Sequence, residues 1–257
     1  MHGLVVVTGA SRGIGRALAL ELAERRHDLV LCARSAADLD KVAAEAHAKG
    51  VQARTVACDL STVEGRDSLV RAVDGPVAGL VNNAGFGTAG EFAGQDRARE
   101  RQMIRLNVEA VVDLTHAFLP RLSRGSFVIN LSSTAGFQPI PLFATYAASK
   151  AFVLSFSQAL ADELAPRGIH VMALCPGVTK TGFQRVADVE LAGPTATAEQ
   201  VARFALRALR ARRRVAIHGL RNALLVQSQR LAPRRAVVKV ARRVMEPWFK
   251  GRKARSP

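Results

Sequence analysis

Short runs of β-branched and aliphatic residues recur along the first 180 residues, each followed by a longer stretch with apolar positions every three to four residues. Leu4-Val5-Val6-Val7, Leu29-Val30-Leu31-Cys32, residues 52–57, Gly79-Leu80-Val81-Asn82, residues 126–130 and His170-Val171-Met172-Ala173-Leu174 are such runs. They lack the alternation of a half-exposed strand, which predicts strands buried on both faces of a parallel sheet. Between them the spacing predicts helices over 13–26, 36–49, 61–73, 98–122 and 146–166. Strand and helix in alternation imply right-handed βαβ units, hence an α/β fold with a doubly wound parallel sheet in a single domain.

Past residue 180 the pattern changes. Residues 182–194 mix Gly, Pro and polar groups and predict a mobile loop, and Thr197-x-x-Gln200 is a capping-box start for a helix to about residue 212. Val215-Ala216-Ile217 is a candidate last strand, and residues 220–231 and 236–245 are two short helix candidates separated by Pro233. In the second, Val237, Val238, Val240, Ala241, Val244 and Met245 follow helical spacing opposite Lys239, Arg242 and Arg243. Trp248 and Phe249 close it, and residues 251–257 read as a disordered tail. The expected division is a dinucleotide-binding catalytic domain over 1–218 and a basic amphipathic helical extension with its tail over 219–257.

Charge sharpens that division. The net charge of +16 arises entirely after residue 202: residues 1–202 hold 20 basic and 20 acidic side chains, whereas residues 203–257 hold 17 basic ones against Glu246 alone. The three cysteines, Cys32, Cys58 and Cys175, are widely spaced and predict neither a disulfide frame nor a metal site. Met1 runs into an apolar strand without a basic leader, and no apolar stretch approaches the roughly 20 residues of a membrane span. The expectation is a cytoplasmic protein, with peripheral membrane association through the extension.

Two motifs carry chemistry. The first is Thr8-Gly9-Ala10-Ser11-Arg12-Gly13-Ile14-Gly15, between a strand and a helix. Glycines permit a tight turn and close backbone approach, and a helix N-terminus offers free N–H groups to a pyrophosphate. A Rossmann-like fold with Gly9, Ser11, Arg12, Gly13, Ile14 and Gly15 on a dinucleotide is expected. The end of the second strand reads Cys32-Ala33-Arg34-Ser35. With no acid there for a ribose 2′-hydroxyl, and with Arg12 and Arg34 for a 2′-phosphate, NADP(H) is expected over NAD(H). Asp59-Leu60 and Asn82-Asn83-Ala84-Gly85 fall at strand carboxyl ends; Asp59 suits an adenine amine, and Asn83 suits either the ribose or the adjoining strands.

The second motif is Tyr146-Ala-Ala-Ser-Lys150 with Ser133 upstream. Reducing a ketone by hydride leaves an alkoxide that needs an acid and a second donor, roles suited to Tyr146 and Ser133. Lys150, one turn from Tyr146, and an oxidised nicotinamide are together expected to draw the phenol toward neutrality, which takes about 4 kcal/mol of preferential phenolate stabilisation. Asn107 is awkward inside a helix; a local kink that frees a carbonyl for a relay water explains it. Phe86, Phe137, Gln138, Ile140, Phe143 and Phe183 are the candidate pocket, mostly apolar.

In this order, with Pro176-Gly177-x-x-x-Thr181 following, these residues resemble the short-chain dehydrogenase/reductase family over about residues 4–217. The resemblance implies a tetrad of Asn107, Ser133, Tyr146 and Lys150, Thr179 and Thr181 near the nicotinamide carboxamide, and a substrate lid after Thr181. The basic extension departs from the short Gly-rich end of the family's common tetramers and looks more like members acting on lipids, steroids or acyl chains. A homodimer, an apolar carbonyl substrate and an anionic membrane surface are the expected partners, and nucleic acid is not. The rival reading is a non-catalytic NADP(H)-binding or membrane-recruited sensor on the same fold.

Overall fold

The computed structural model describes residues 3–183, Ala187 and 195–246. Residues 184–186 and 188–194, within the expected loop, and residues 247–257, with Trp248, Phe249 and the expected tail, lie outside them.

The strands are β1 (Leu4–Thr8), β2 (Asp28–Ala33), β3 (Ala53–Ala57), β4 (Val77–Asn82), β5 (Leu122–Leu131), β6 (His170–Cys175), β7 (Thr179–Lys180), β8 (Ala196–Thr197) and β9 (Val215–Ile217). Seven form one all-parallel sheet in the order β3-β2-β1-β4-β5-β6-β9, as the unalternated runs predict, and the candidate last strand takes one edge. At the other edge β3 is largely exposed and not buried on both faces as expected, because nothing among the described residues pairs with its outer side. A two-stranded pair, β7 with β8, was not foreseen. The helices are α1 (Gly13–Glu24), α2 (Ala36–His47), α3 (Val63–Arg71), α4 (Arg97–Ile104), α5 (Ala110–Phe118), α6 (Ala144–Glu163), α7 (Ala198–Arg210), α8 (Leu220–Ser228) and α9 (Arg234–Met245).

Successive strand residues feed two cores. Val5 and Val7 of β1 pack with Leu18 and Leu22 of α1, Leu39 of α2 and Val201 and Leu206 of α7 on one face. Val6 between them joins Leu69 of α3, Leu114 and Phe118 of α5 and Leu160 of α6 on the other. Burying each such side chain contributes about 1.5–3 kcal/mol. The polar residues buried in these strands, such as Asn82 and Asn130, are hydrogen-bonded, Asn82 donating to Thr115 Oγ1 and to Asn130 Oδ1. Thr197 opens α7 through the expected capping box: its hydroxyl accepts from the Gln200 N–H at 3.2 Å, and its own N–H donates to Gln200 Oε1 at 2.9 Å.

The helix expected over 98–122 is instead α4 and α5 joined by a π-helical turn, Arg105–Glu109, with Asn107 at its centre. Here the Ala110 N–H reaches back five residues to the Arg105 carbonyl. Extra residues in a turn bend the axis and aim a side chain that a regular helix would not.

Candidate active site

The carboxyl ends of β1, β2, β4, β5 and β6 open onto one cleft of about 680 Å³, where open parallel sheets present ligands. Its first wall is the glycine loop. Gly13 opens α1 with φ +56°, and a Cβ on Gly15 would stand 2.2 Å from the Gly9 carbonyl oxygen, so the loop closes only around glycine. Asn83 braces this turn, donating from Nδ2 to the Thr8 carbonyl at 2.8 Å and the Gly9 carbonyl at 3.2 Å. The Thr8 hydroxyl in turn accepts from the N–H groups of Asn83 and Ala84. Of the two roles expected for Asn83, bracing the strands is the one its hydrogen bonds perform, and Thr8 is the partner sequence reading missed.

α1, like α6, α8 and α9, lacks a side-chain cap at its N-terminus. α2, α3, α4 and α7 begin under a capping side chain, from Ser35, Thr62, Asp96 and Thr197. α1 begins after Arg12 with no side-chain cap and no acid in its first turn. Its free N–H groups and positive dipole end therefore face the cleft and suit a phosphate anion. The donor set fits a dinucleotide.

Gly9, Ser11, Arg12, Gly13, Ile14, Arg34, Asp59, Leu60, Asn83, Thr179 and Thr181 all line the cleft; Gly15 sits behind the turn. Arg12 and Arg34 are exposed and form no ion pair among the described residues. Asp38, in the first turn of α2, also lines the cleft and was missed; Lys41 offsets it at 3.7 Å. Asp59 accepts from the Ser61 N–H at 2.9 Å.

Ser133, Tyr146 and Lys150 line the other end of the cleft. Ser133 follows β5, and its Oγ accepts from the Ala135 N–H at 3.1 Å. Tyr146 and Lys150 lie one turn apart in α6, with Lys150 Nζ 5.8 Å from the tyrosine ring centroid. Lys150 is buried, and its ammonium donates to the Leu131 carbonyl at 2.8 Å. Ser132, also missed, donates to the Lys150 carbonyl at 2.8 Å and ties β5 to α6.

Burial pushes the Lys150 ammonium down to about 8, with the nearby Cys175 pulling the other way. In the protein alone the Tyr146 phenol is not lowered. Burial pushes it up to about 12, the opposing pull coming from its hydrogen bond with Ser133. Desolvating a phenolate outweighs that one donor. Tyr146 is half-buried as a whole, so water in the cleft moderates the size of the rise and leaves its direction.

Asn107 is buried and does not line the cleft. Its Oδ1 accepts from the Phe86 N–H at 3.1 Å, and its Nδ2 donates to the Phe86 carbonyl at 2.9 Å and to Ser149 Oγ at 3.1 Å. Ser149 donates to the Tyr146 carbonyl at 2.7 Å, so the π turn clamps the loop after β4 to the first turns of α6. Asn107→Leu leaves the Phe86 N–H and C=O without partners. We expect the unfolding free energy to fall by about 2–4 kcal/mol, measured by urea denaturation; an unchanged midpoint would refute the clamp.

Of the expected pocket, Phe86, Gln138, Ile140, Phe143 and Phe183 line the cleft. Phe183 lies 5.2 Å from the Tyr146 ring and Phe143 6.0 Å. Phe137 is a correction: it packs against the core of Leu154, Ala173 and Cys175, because the 3₁₀ turn Thr134–Phe137 directs it away. Arg99, whose guanidinium sits 4.0 Å from the Phe86 ring centroid, lines the cleft and was missed. So were Asn222 and Leu225 of α8 and Val244 and Met245 of α9, which bring the extension into the wall. No signal short of the three-dimensional contacts marks them.

A parallel doubly wound sheet, a dinucleotide-type glycine loop and a Ser-Tyr-Lys group at one cleft define a nicotinamide-dependent oxidoreductase. The short chain dehydrogenase family model matches residues 3–191, and the chain belongs to that family. It is 34% identical over 250 residues to estradiol 17-beta-dehydrogenase 11 of Rattus norvegicus, covering 94% of this chain and 83% of the relative. A short-chain dehydrogenase from Sphingobium yanoikuyae, solved with NADPH, superposes with TM-score 0.81 at 32% identity, covering 89% of this chain and 94% of the other. A short chain dehydrogenase/reductase from Burkholderia phymatum, solved with NAD, gives TM-score 0.80 at 25% identity, covering 88% and 92%.

Proposed function

We propose that the protein is an NADP(H)-dependent carbonyl reductase or secondary-alcohol dehydrogenase for a hydrophobic substrate. The observation that carries this reading is the convergence of Tyr146, Ser133 and Lys150 on one cleft whose far end is the uncapped N-terminus of α1. When bound, the nicotinamide supplies or accepts the hydride.

The chain's own residues do the rest. Tyr146 donates its hydroxyl proton to the carbonyl oxygen as charge develops there, and its raised affinity for that proton keeps it protonated at neutral pH. Ser133 Oγ holds the same oxygen as a second donor. The Lys150 ammonium stabilises the phenolate left behind and would help hold the nicotinamide ribose. Asn107 is a positioning residue, holding α6 against the loop after β4. Thr179 and Thr181 line the cleft and would orient a carboxamide; a Cβ on Gly13 would stand 3.2 Å from the Thr181 side chain.

The preference for a 2′-phosphate rests on Arg12 and Arg34, two exposed cations at the cleft without carboxylate partners among the described residues. A solved relative carrying NADPH supports it, while another carries NAD. Replacing both arginines by Ala is expected to raise KM for NADPH about 10–100-fold and to leave KM for NADH within about twofold, since each removes a charge-assisted hydrogen bond. Equal changes for both cofactors would refute the assignment.

The hydrophobic substrate rests on Phe86, Ile140, Phe143, Phe183 and Leu225 around the tyrosine. Ketosteroids, 3-oxoacyl thioesters and small polar ketones, offered with NADPH, test it. The expected result is turnover of an apolar ketone; absence of turnover across the panel would favour the sensor reading.

A further inference from the structure

The C-terminal extension carries a surface that the hydride-transfer site does not require. Ten large hydrophobic side chains are exposed among the described residues, and six of them, Leu220, Leu224, Leu225, Leu231, Val240 and Val244, fall within α8, α9 and their connection. A surface that concentrates apolar groups so strongly in one segment marks an interaction site. Val226 and Ala241 are the buried residues of these two helices, so both are docked on the protein by one side only.

The arrangement on α9 is specific. Relative to Ala241, Val240 and Val244 lie along one flank, one turn apart, while Arg235, Lys239 and Arg243 occupy the outer side. Arg234, Arg235, Lys239 and Arg243 are exposed and form no ion pair among the described residues; Arg242 is held by Glu246 at 3.2 Å. On α8, Leu220 and Leu224 are also one turn apart. Leu225 and Val244 are more than half exposed and line the cleft as well, so at these two positions the exposed apolar groups reach the rim of the cleft.

We propose that α8 and α9 form a docking surface for an anionic lipid bilayer, and that the cleft opens onto it. Lysine and arginine side chains meet lipid phosphates while Leu and Val enter the acyl boundary. A ketone dissolved in the bilayer then reaches Tyr146 past Leu225 and Val244 without crossing bulk water. This entry route rests on the reductase reading; the docking itself does not. A second copy on the same face is opposed by the exposed Arg234, Arg235, Lys239 and Arg243 of α9, which would set like charges together. Nucleic acid would use the cations and leave the leucines exposed.

The test is flotation of the full chain with phosphatidylcholine vesicles, with and without phosphatidylglycerol. The expected result is flotation on the anionic vesicles only, abolished by high salt. Arg235→Glu/Lys239→Glu/Arg243→Glu is expected to lower partition at least about tenfold, as is Leu220→Ser/Leu224→Ser. Both variants are expected to keep the wild-type melting temperature and turnover of a water-dissolved ketone, and to lose turnover of a vesicle-embedded one. Partition equal in all three proteins would overturn the proposal. Absence of flotation would overturn it too, including where Leu220→Ser/Leu224→Ser dissociates a dimer, or where duplex DNA binds both wild type and that variant. Loss of turnover in every protein with flotation intact would refute the reductase reading and leave the docking standing.

Discussion

Tyr146→Phe is expected to lower kcat about 10²–10⁴-fold while NADPH binds with wild-type affinity. The substitution removes one oxygen and keeps the ring, so the packing with Phe143 and Phe183 survives. What it removes is the proton donor at the carbonyl oxygen. Ser133 remains as a donor, but an aliphatic hydroxyl is a far weaker acid than a phenol and cannot replace Tyr146 in giving up a proton. Steady-state kinetics with an apolar ketone, paired with a fluorescence titration of NADPH, reads both halves. An unchanged kcat would refute the assigned acid, and a parallel loss of NADPH affinity would point to damaged binding instead.

The second large effect is on pH. Ketone reduction needs a neutral phenol and a charged ammonium. Burial raises the phenol to about 12 and lowers the ammonium to about 8, so both are in the required form at neutral pH. As pH rises the ammonium is the first to be lost. We therefore expect kcat/KM for reduction to be flat below about 7 and to fall through about 8, approaching tenfold per pH unit beyond it. Alcohol oxidation must take a proton, so it requires the phenolate, and its rate is expected to rise with alkaline pH until the ammonium is lost. Lys150→Arg offers a discriminating control: guanidinium does not deprotonate in this range, so its lower rate of reduction is expected to show no fall near 8. A fall retained in that variant would assign the titration to another group.

The sheet was legible because buried parallel strands leave an unbroken apolar signature, as in Leu4–Val7 and His170–Leu174. The glycine loop was legible for a related reason: only glycine fits against the Gly9 carbonyl at position 15. Other features depend on contacts between distant segments. The π turn at Asn107 has the composition of an ordinary helix, and only its clamp on Phe86 and Ser149 explains the extra residue. Phe137 and Phe143 look alike in sequence, yet a 3₁₀ turn sends one to the core and the other to the cleft. At Tyr146 spacing reveals the neighbouring charge and not the desolvation that raises the phenol in the protein alone. The extension reads as a helix with an apolar face, but that its face completes the cleft through Asn222, Leu225, Val244 and Met245 depends on where the sheet ends.

The central claim is direct hydride transfer at this cleft. NADPH deuterated at the transferring position of the nicotinamide, incubated with the protein and whichever apolar ketone the panel identifies, should give an alcohol with one deuterium on the carbinol carbon, measured by mass spectrometry. Alcohol formed without deuterium from either face of the labelled ring, or deuterium appearing equally with Tyr146→Phe at the wild-type rate, would contradict the account.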